Sequence, residues 1–233
     1  MGKRIIPRAR GKGGPRYVAP SHRYLGRVEY VPVTGITGRV KDIVHDPGRT
    51  APVAIIRFDD GKEILHVAPE GLKAGDLVAY GGEANVGNVL HLSEIPDGTK
   101  IFGVETYPGS GPKLCRSSGT FAIVVGKIGN MVKVQFPSGK VIEVPAECRA
   151  TVGVPAGGGR TDKSWVKAGK KVHAMMARGR LYPRSQGVNM TPTDHPYGGK
   201  SKRPRGKSVK HSTPPGAKVG SISPRRTGRK KGR

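Results

Sequence analysis

The sequence has few aromatic residues, only two cysteines and no long apolar run. Aromatic residues make up 5% and hydrophobic residues 35% of its 233 positions. These are too few to pack the whole chain around one core, so part of it is predicted to be non-globular on its own. Cys115 and Cys148 are too few for a disulfide framework and are predicted to be small buried side chains in a reducing compartment. The lack of a long apolar stretch argues against a membrane span and predicts no signal peptide.

Acidic residues are missing from both ends of the chain. The 42 lysine and arginine residues outnumber the 16 acidic ones, which gives a formal charge of +26. Residues 1–27 hold eight basic and no acidic side chains, and residues 195–233 hold 13 basic and none acidic. Residues 160–194 hold eight basic and two acidic ones, whereas residues 28–159 hold 13 basic and 14 acidic ones. A near-neutral body with long basic arms predicts a polyanionic partner, and nucleic acid fits this pattern better than a membrane surface.

The balanced middle is rich in short β-branched segments separated by turn residues. Two series of about five strands, divided near Gly81 and Gly82, predict a mainly β fold with two small antiparallel barrels. Asp60-Gly61 predicts a tight hairpin turn with positive φ at both positions. The predicted strands are residues 27–33, 38–44, 53–58 and 63–67 in the first series and residues 88–92, 100–107, 119–127, 131–136 and 140–144 in the second.

One helix is predicted after the strands, over residues 161–179. Thr161 or Asp162 can cap its start and Gly179 can end it. Beyond residue 183 the sequence predicts no regular structure.

Motifs that carry enzymatic chemistry are absent from the sequence. Two Gly-Lys-Ser triplets, at 199–201 and 206–208, lack the preceding glycine and strand of a phosphate-binding loop. The sequence contains no nucleophile elbow, no Cys-x-x-Cys pair and no His-Glu-x-x-His. We therefore predict no metal site, no cofactor, no catalytic residue and no enzymatic activity.

The adjacent pair Asp194-His195 invites a catalytic interpretation. Neighbouring residues in an extended segment point to opposite sides, so the pair is not expected to form an oriented carboxylate–imidazole bond. Pro196 favours an extended His195, and Gly198 lets the backbone approach a partner closely. This loop is predicted to contact nucleic acid, by stacking and by hydrogen bonds to phosphate or 2′-hydroxyl groups.

Several motifs follow one another along nearly the whole chain. They are H-D-P-G-R-T-A-P-V-A at 45–54, R-S-S-G-T at 116–120, E-C-R-A-T-V-G at 147–153, K-A-G-K at 167–170 and Q-G-V-N-M-T-P-T-D-H-P-Y-G-G at 186–199. In this order they resemble the family of the second protein of the large ribosomal subunit. A-P-S-H-R-Y near residue 19 and R-R-T-G-R near the C-terminus are similar to the archaeal and eukaryotic-cytosolic branch of that family.

The resemblance implies an OB-fold-type barrel followed by an SH3-like barrel, with long basic non-globular N- and C-terminal extensions. The implied domains are residues 1–24, 25–83, 84–160 and 161–233. The implied protein is a structural constituent of the large subunit in the cytoplasm, without homo-oligomer or membrane contact. Its implied partners are large-subunit rRNA of the 23S type, neighbouring ribosomal proteins and, across the subunit interface, the small subunit. The family is held to support subunit association, tRNA binding and assembly of the peptidyl transferase centre.

The residues predicted to bind rRNA lie in the two arms and in the loop around His195. In the N-terminal arm they are Arg4, Arg8, Arg10, Lys12, Arg16, His22 and Arg23. In the loop and tail they are Asp194, His195, Pro196, Tyr197, Gly198, Gly199, Lys200, Lys202, Arg203, Arg205, Lys207, Arg225, Arg226 and Arg229.

The chain departs from the family pattern in the loop itself. Thr191-Pro192-Thr193 replaces Asn-Pro-Val, and Lys200 replaces a third glycine. The first change puts in doubt any role for an amide there, and the second adds a phosphate contact. Two alternatives stay open at this point: a basic nucleic-acid-compacting protein, and a transferase that uses His195.

Overall fold

The computed structural model describes residues 3–4, 6–195 and 198–199. These residues divide into two compact units. One consists of the described residues of Met1–Pro20 and Lys167–Arg233, and the other is Ser21–Val166. The second unit, called the barrel unit below, contains all the strands of the described chain. Among the described residues, no helix is long and apolar enough to cross a membrane.

The first four strands surround the first core of the barrel unit. They are β1 (Ile36–Val44), β2 (Val53–Phe58), β3 (Glu63–Val67) and β4 (Leu77–Tyr80). β1 pairs antiparallel with β2 and β4, and β3 pairs antiparallel with β2. Residues on alternate positions of these strands point inwards, so Val40, Ile56, Val78 and Tyr80 are buried together.

The other six strands surround a second core. They are β5 (Val89–His91), β6 (Lys100–Phe102), β7 (Ala122–Ile128), β8 (Met131–Gln135), β9 (Val141–Pro145) and β10 (Arg149–Val152). β10 lies between β5 and β6 and is antiparallel to both, while β7, β8 and β9 follow β6 as a meander. Leu92, Ile101, Val134 and Ala150 are among the residues buried in this core.

The two cores are joined by backbone pairing at two places and by side chains. The strand order is β3-β2-β1-β4-β5-β10-β6-β7-β8-β9, and β4 meets β5 at one parallel pair, Tyr80 with Val89. A second, isolated bridge pairs Pro69 with Pro155. A small apolar cluster adds Phe102 from the second half to Val28 and Val67 from the first.

The hairpin at Asp60-Gly61 differs from the prediction. The Phe58 N–H donates to the Lys62 carbonyl at 3.0 Å, so three residues form the loop. Gly61 has φ of 81°, and Cys115 is the one non-glycine residue with positive φ in the described chain. The predicted positive φ at Asp60 is therefore wrong. A type I turn followed by glycine closes this hairpin without placing an aspartate in the left-handed region, which glycine enters at no steric cost.

Two strand predictions also need correction. Residues 27–33 form no strand, although Val28 and Tyr30 are buried and Glu29 is exposed. The Glu29 N–H donates to the Leu65 carbonyl at 3.3 Å, and Pro32 has no N–H to continue such a ladder. Conversely, β10 was not predicted, although it lies between β5 and β6 in the second half of the sheet.

The predicted helix is shorter than expected. It is α2 (Ala168–Met176), whereas α1 (Ile6–Gly11) lies in the N-terminal arm. Asp162 donates its N–H to the Gly159 carbonyl at 3.0 Å, so this segment forms a turn and caps no helix. Gly179 does end the helical segment, with φ of 61°, as predicted. Among the described residues beyond 183, a 3₁₀ turn at Gly187–Asn189 is an addition to the prediction.

Candidate nucleic-acid interface

A buried ion pair lies where the two halves of the barrel unit meet. Arg149 Nη2 is 3.2 Å from Glu105 Oε1, and both side chains are less than a tenth exposed. Glu105 also accepts the Gly111 N–H at 2.9 Å and the Arg149 N–H at 3.0 Å. Arg149 Nη1 donates to the Val31 carbonyl, so the pair reaches from the second half to the first. A buried charged group needs such ionic and hydrogen-bonding partners, because burying an unpaired ion costs several kcal/mol of stability.

Tyr30 carries a second polar contact across the same junction. Its hydroxyl donates to the Gly103 carbonyl at 2.8 Å and lies 2.7 Å from Thr151 Oγ1. Thr151 Oγ1 is also 3.4 Å from His66 Nε2 of β3. Burial lowers the pKa of His66 to about 4, so this imidazole is neutral at physiological pH. The junction is therefore a connected polar network that fixes one half of the unit against the other.

Cations gather beside the junction. Arg27, Lys113 and Arg116 line a cleft of about 170 Å³. The one carboxylate among its lining residues, Glu29, is 3.1 Å from Arg27. Lys113 and Arg116 form no ion pair with any residue that the structure describes. The cleft thus presents uncompensated positive charge on a unit whose overall charge is nearly balanced.

Arg49 brings another cation close to this cleft. Its Nη1 is 2.8 Å from Asp46 Oδ2 and its Nη2 is 2.5 Å from the Gly26 carbonyl, so the guanidinium is held in place. Burial lowers the pKa of Arg49, the Asp46 carboxylate opposes this shift, and repulsion from Arg116 adds to it. Two guanidinium groups close enough to repel each other form a site that an anion would stabilise. Arg27, Arg49, Lys113 and Arg116 are called the junction cluster below.

The histidine loop, residues 191–199, belongs to the other unit. The Asp194 and His195 N–H groups both donate to the Thr191 carbonyl, at 3.0 and 3.1 Å. Residues 192–194 therefore form a turn, and the extended geometry predicted for this segment is wrong at Asp194. The two successive N–H groups that donate to the Thr191 carbonyl close this turn, which an extended Asp194 could not form.

The Asp194 carboxylate is bound on both oxygens. Lys3 Nζ lies 3.1 Å from Oδ1, and Thr191 Oγ1 donates to Oδ2 at 3.0 Å. These contacts lower the pKa of Asp194, the Lys3 hydrogen bond contributing most and the Thr191 hydrogen bond next. Thr191 Oγ1 also lies 2.9 Å from Thr193 Oγ1. The two threonines that depart from the family pattern thus supply a hydroxyl partner at the position where an amide is expected.

Two glycines allow the loop to pack tightly. A side chain at Gly187 would overlap the His195 ring, and one at Gly198 would overlap the backbone of Met190 and Thr191. The His195 imidazole consequently lies against bare backbone, which fixes one face of the ring.

Comparisons with known proteins bear on both units. The RNA binding N-terminal domain of Ribosomal Proteins L2 matches residues 19–80, and their C-terminal domain matches residues 85–218. The large ribosomal subunit protein uL2 of Methanopyrus kandleri is 46% identical, over 98% of this chain and 98% of its own. The protein of the same name from Halorubrum lacusprofundi is 48% identical over 98% of both chains. That of Methanococcus vannielii is 47% identical, over 99% of this chain and all of its own.

The chain belongs to the ribosomal L2 family.

Membership in the L2 family confirms several predictions together. The resemblance, its archaeal type, the OB-fold-type barrel followed by an SH3-like barrel, and the location on the cytoplasmic ribosome are all confirmed. It also supports the coarser part of the functional prediction, a ribosomal protein with an RNA-binding domain. The domain boundaries and the individual rRNA-binding residues stay predictions.

The structure places the described predicted residues of this L2 family member in three groups. In the N-terminal arm, the exposed side chains are Arg4, Arg10, Lys12 and Arg16. His22 and Arg23 form a 3₁₀ turn at the start of the barrel unit and are also exposed. Asp194, His195, Gly198 and Gly199 lie together in the histidine loop. The remaining predicted residues lie outside the described residues or have undescribed side chains: Arg8, Pro196, Tyr197, Lys200, Lys202, Arg203, Arg205, Lys207, Arg225, Arg226 and Arg229.

The junction cluster and Lys3 were not predicted. Arg49 and Arg116 lie within two of the quoted family motifs, and this position was the only sequence signal for them. Lys3 is one of many basic residues in the arm, and its sequence separation from Asp194 hides the contact.

Proposed function

We propose that this chain is a structural rRNA-binding protein of the large ribosomal subunit. On this proposal it supports subunit association, tRNA binding and assembly of the peptidyl transferase centre, and it contacts neighbouring ribosomal proteins and the small subunit. The observation that carries the proposal is the match to both L2 domains over nearly the whole chain. The separation of a near-neutral body from acid-free basic ends supports it independently.

The two described units suggest two kinds of RNA contact. The junction cluster lies on a rigid body, because the buried network fixes the two halves of the barrel unit. Such a cluster suits one or two phosphates at a defined position, and arginine is especially suited to bidentate phosphate contacts. The histidine loop instead offers an imidazole and close backbone, which suit bases and 2′-hydroxyl groups. Phosphate contacts are expected to supply most of the affinity and to fix the position of the protein on the RNA, and loop contacts are expected to supply local specificity.

We propose no catalytic step for His195. Asp194, the carboxylate beside it in sequence, is already bound by Lys3 and Thr191. These two contacts hold the carboxylate towards Lys3 and Thr191. Both cysteines are poor nucleophiles as well, because burial raises the pKa of Cys115 and Cys148 to about 11.

Ultracentrifugation of cell extract at low and high salt tests the proposal. We expect the protein to sediment with the large subunit under both conditions, since an integral component is held by many simultaneous contacts. A protein that stays in the supernatant as a monomer would contradict the proposed function.

The junction cluster has a test of its own. Arg116→Ala should weaken binding to purified large-subunit rRNA. It should also make the dependence of binding on salt shallower. The slope of log K against the logarithm of the salt concentration should decrease in magnitude by about 0.7–0.9 for each phosphate that the variant no longer neutralises. Lys140→Ala is the matched control, because it removes an exposed cation from a hairpin elsewhere in the same unit. Equal effects of the two substitutions would show that the cluster contributes only general charge.

A further inference from the structure

The beginning of the chain contacts the histidine loop at two points. The Lys3 N–H donates to the Thr193 carbonyl at 2.8 Å, and Lys3 Nζ lies 3.1 Å from Asp194 Oδ1. One contact uses the backbone and the other the side chain. Together they fix both the position of residue 3 and the direction of its side chain relative to the loop.

The N-terminal arm also packs against the segment that follows α2. Gly179, at the end of α2, lies so close to the backbone of Val18 and Ala19 that a side chain there would overlap them. The arm therefore packs on the segment after α2 at one end and on the histidine loop at the other. This arrangement makes the arm an internal part of the unit as well as a source of positive charge.

The two contacts of Lys3 act on the turn from which His195 projects. Thr193 and Asp194 are the two residues before His195, and the Asp194 and His195 N–H groups share the Thr191 carbonyl. Lys3 on one side and Thr191 on the other bind the two oxygens of Asp194. Movement of the turn would break both contacts of Lys3 at once.

We propose that Lys3 is a positioning residue of the histidine loop, which sets the orientation of His195 by holding Thr193 and Asp194. The proposal rests on the proposed function only in that the loop is taken to contact rRNA. The N-terminal arm and the loop are then coupled, because RNA bound by one constrains the other. The charge of Lys3 matters for this role, whereas that of its neighbours in the arm does not.

The exposure of the pair indicates orientation rather than stabilisation as its role. The Lys3 and Asp194 side chains are 78% and 42% exposed. Ion pairs in such surroundings contribute little to the free energy of unfolding, because water screens them. They can still select one loop conformation among several of similar energy, and the lowered pKa of Asp194 is consistent with a persistent contact.

Carboxyl NMR titration of the RNA-free, full-length protein tests the proposal. We compare the protein with Lys3→Met, Lys3→Arg and Lys12→Met, where Lys12 is an exposed lysine of the same arm that forms no ion pair with a described residue. Lys3→Met should raise the pKa of Asp194 towards its ordinary value and shift the His195 ring and Gly198 amide signals. Lys3→Arg should retain the pKa and the signals, because it keeps the charge, and Lys12→Met should leave both unchanged.

Two results would overturn the proposal. In the first, Lys3→Met leaves the pKa of Asp194 and the His195 signals unchanged. In the second, Lys12→Met changes them as much as Lys3→Met does, which would reduce the effect to general charge. Because no RNA is present, either result is separate from a failure of the protein to bind rRNA, which the sedimentation experiment detects.

Discussion

Two ion pairs, Glu105–Arg149 in the barrel unit and Lys3–Asp194 beside the histidine loop, have nearly equal lengths of 3.2 and 3.1 Å in opposite surroundings. The first is buried and surrounded by further hydrogen bonds to Gly111 and Val31. The second is exposed and has one further partner, Thr191. Equal distances therefore do not imply equal roles.

The difference shows that the buried pair holds the barrel unit rigid, whereas the exposed pair lies where a ligand can reach it. Removing one partner of a buried pair leaves a charge without water or counter-charge, so such a pair cannot open without disrupting the fold. An exposed pair can exchange with water and with phosphate, so it can respond to a ligand. The junction is suited to carry the fixed cations of the junction cluster, and the loop is suited to adapt to RNA.

The largest expected effect comes from breaking the buried pair. Glu105→Gln should lower the free energy of unfolding of the full-length protein by about 3–5 kcal/mol, because Arg149 keeps its charge in a buried site. Urea denaturation followed by circular dichroism measures this decrease. Glu143→Gln is the control, since its partner Lys133 lies at 3.9 Å on the surface and the substitution should leave the midpoint unchanged. Similar midpoints for the two variants would contradict the assignment of the junction as a structural element.

A smaller effect is expected from acid, through His66. Burial holds the pKa of His66 at about 4, below the value of 6.5 expected in the unfolded chain. Between these values the unfolded state binds a proton that the folded state does not. Stability is therefore fully present above pH 6.5 and falls as the pH drops towards 4, by about 3 kcal/mol for this group.

The variant His66→Phe isolates that contribution. It should lose some stability at pH 7 but show a shallower decline between pH 6.5 and 4 than the unaltered protein. Denaturant midpoints at four or five pH values give the slopes. Parallel slopes for the two proteins would mean that another group produces the acid sensitivity.

The smallest effect on stability is expected at the exposed pair. Lys3→Met should leave the denaturation midpoint unchanged, although it alters the Asp194 titration. Measuring both quantities on the same sample sharpens the contrast with Glu105. A large drop in the midpoint would place Lys3 among the structural residues.

The strands of the barrel unit could largely be predicted because apolar and polar residues alternate along most of them. Val53–Phe58 and Met131–Gln135 each bury alternate apolar residues against a neighbouring strand. β10 could not be predicted in this way, because all four of its residues are buried and one of them is Arg149. The tertiary partners Glu105 and Val31 make that arginine compatible with the interior.

The candidate site was predictable in part. The loop around His195 was identified from its prolines, glycines and family motif. The contact between Lys3 and Asp194 was not, because no local pattern links residues at opposite ends of a chain. The same applies to Arg49 and Arg116, which repel each other in space but lie far apart in sequence.

The packing of the N-terminal arm on residues near the other end of the chain has a consequence for synthesis. Lys3 is made about 190 residues before its partners Thr193 and Asp194. At about 5–20 residues per second, the arm waits roughly 10–40 s before its contacts exist. During that interval it is a cation-rich segment without its partners, beside the RNA of the ribosome that makes it. The unit that joins the N-terminal arm to the histidine loop therefore cannot close until residues 193 and 194 have been made.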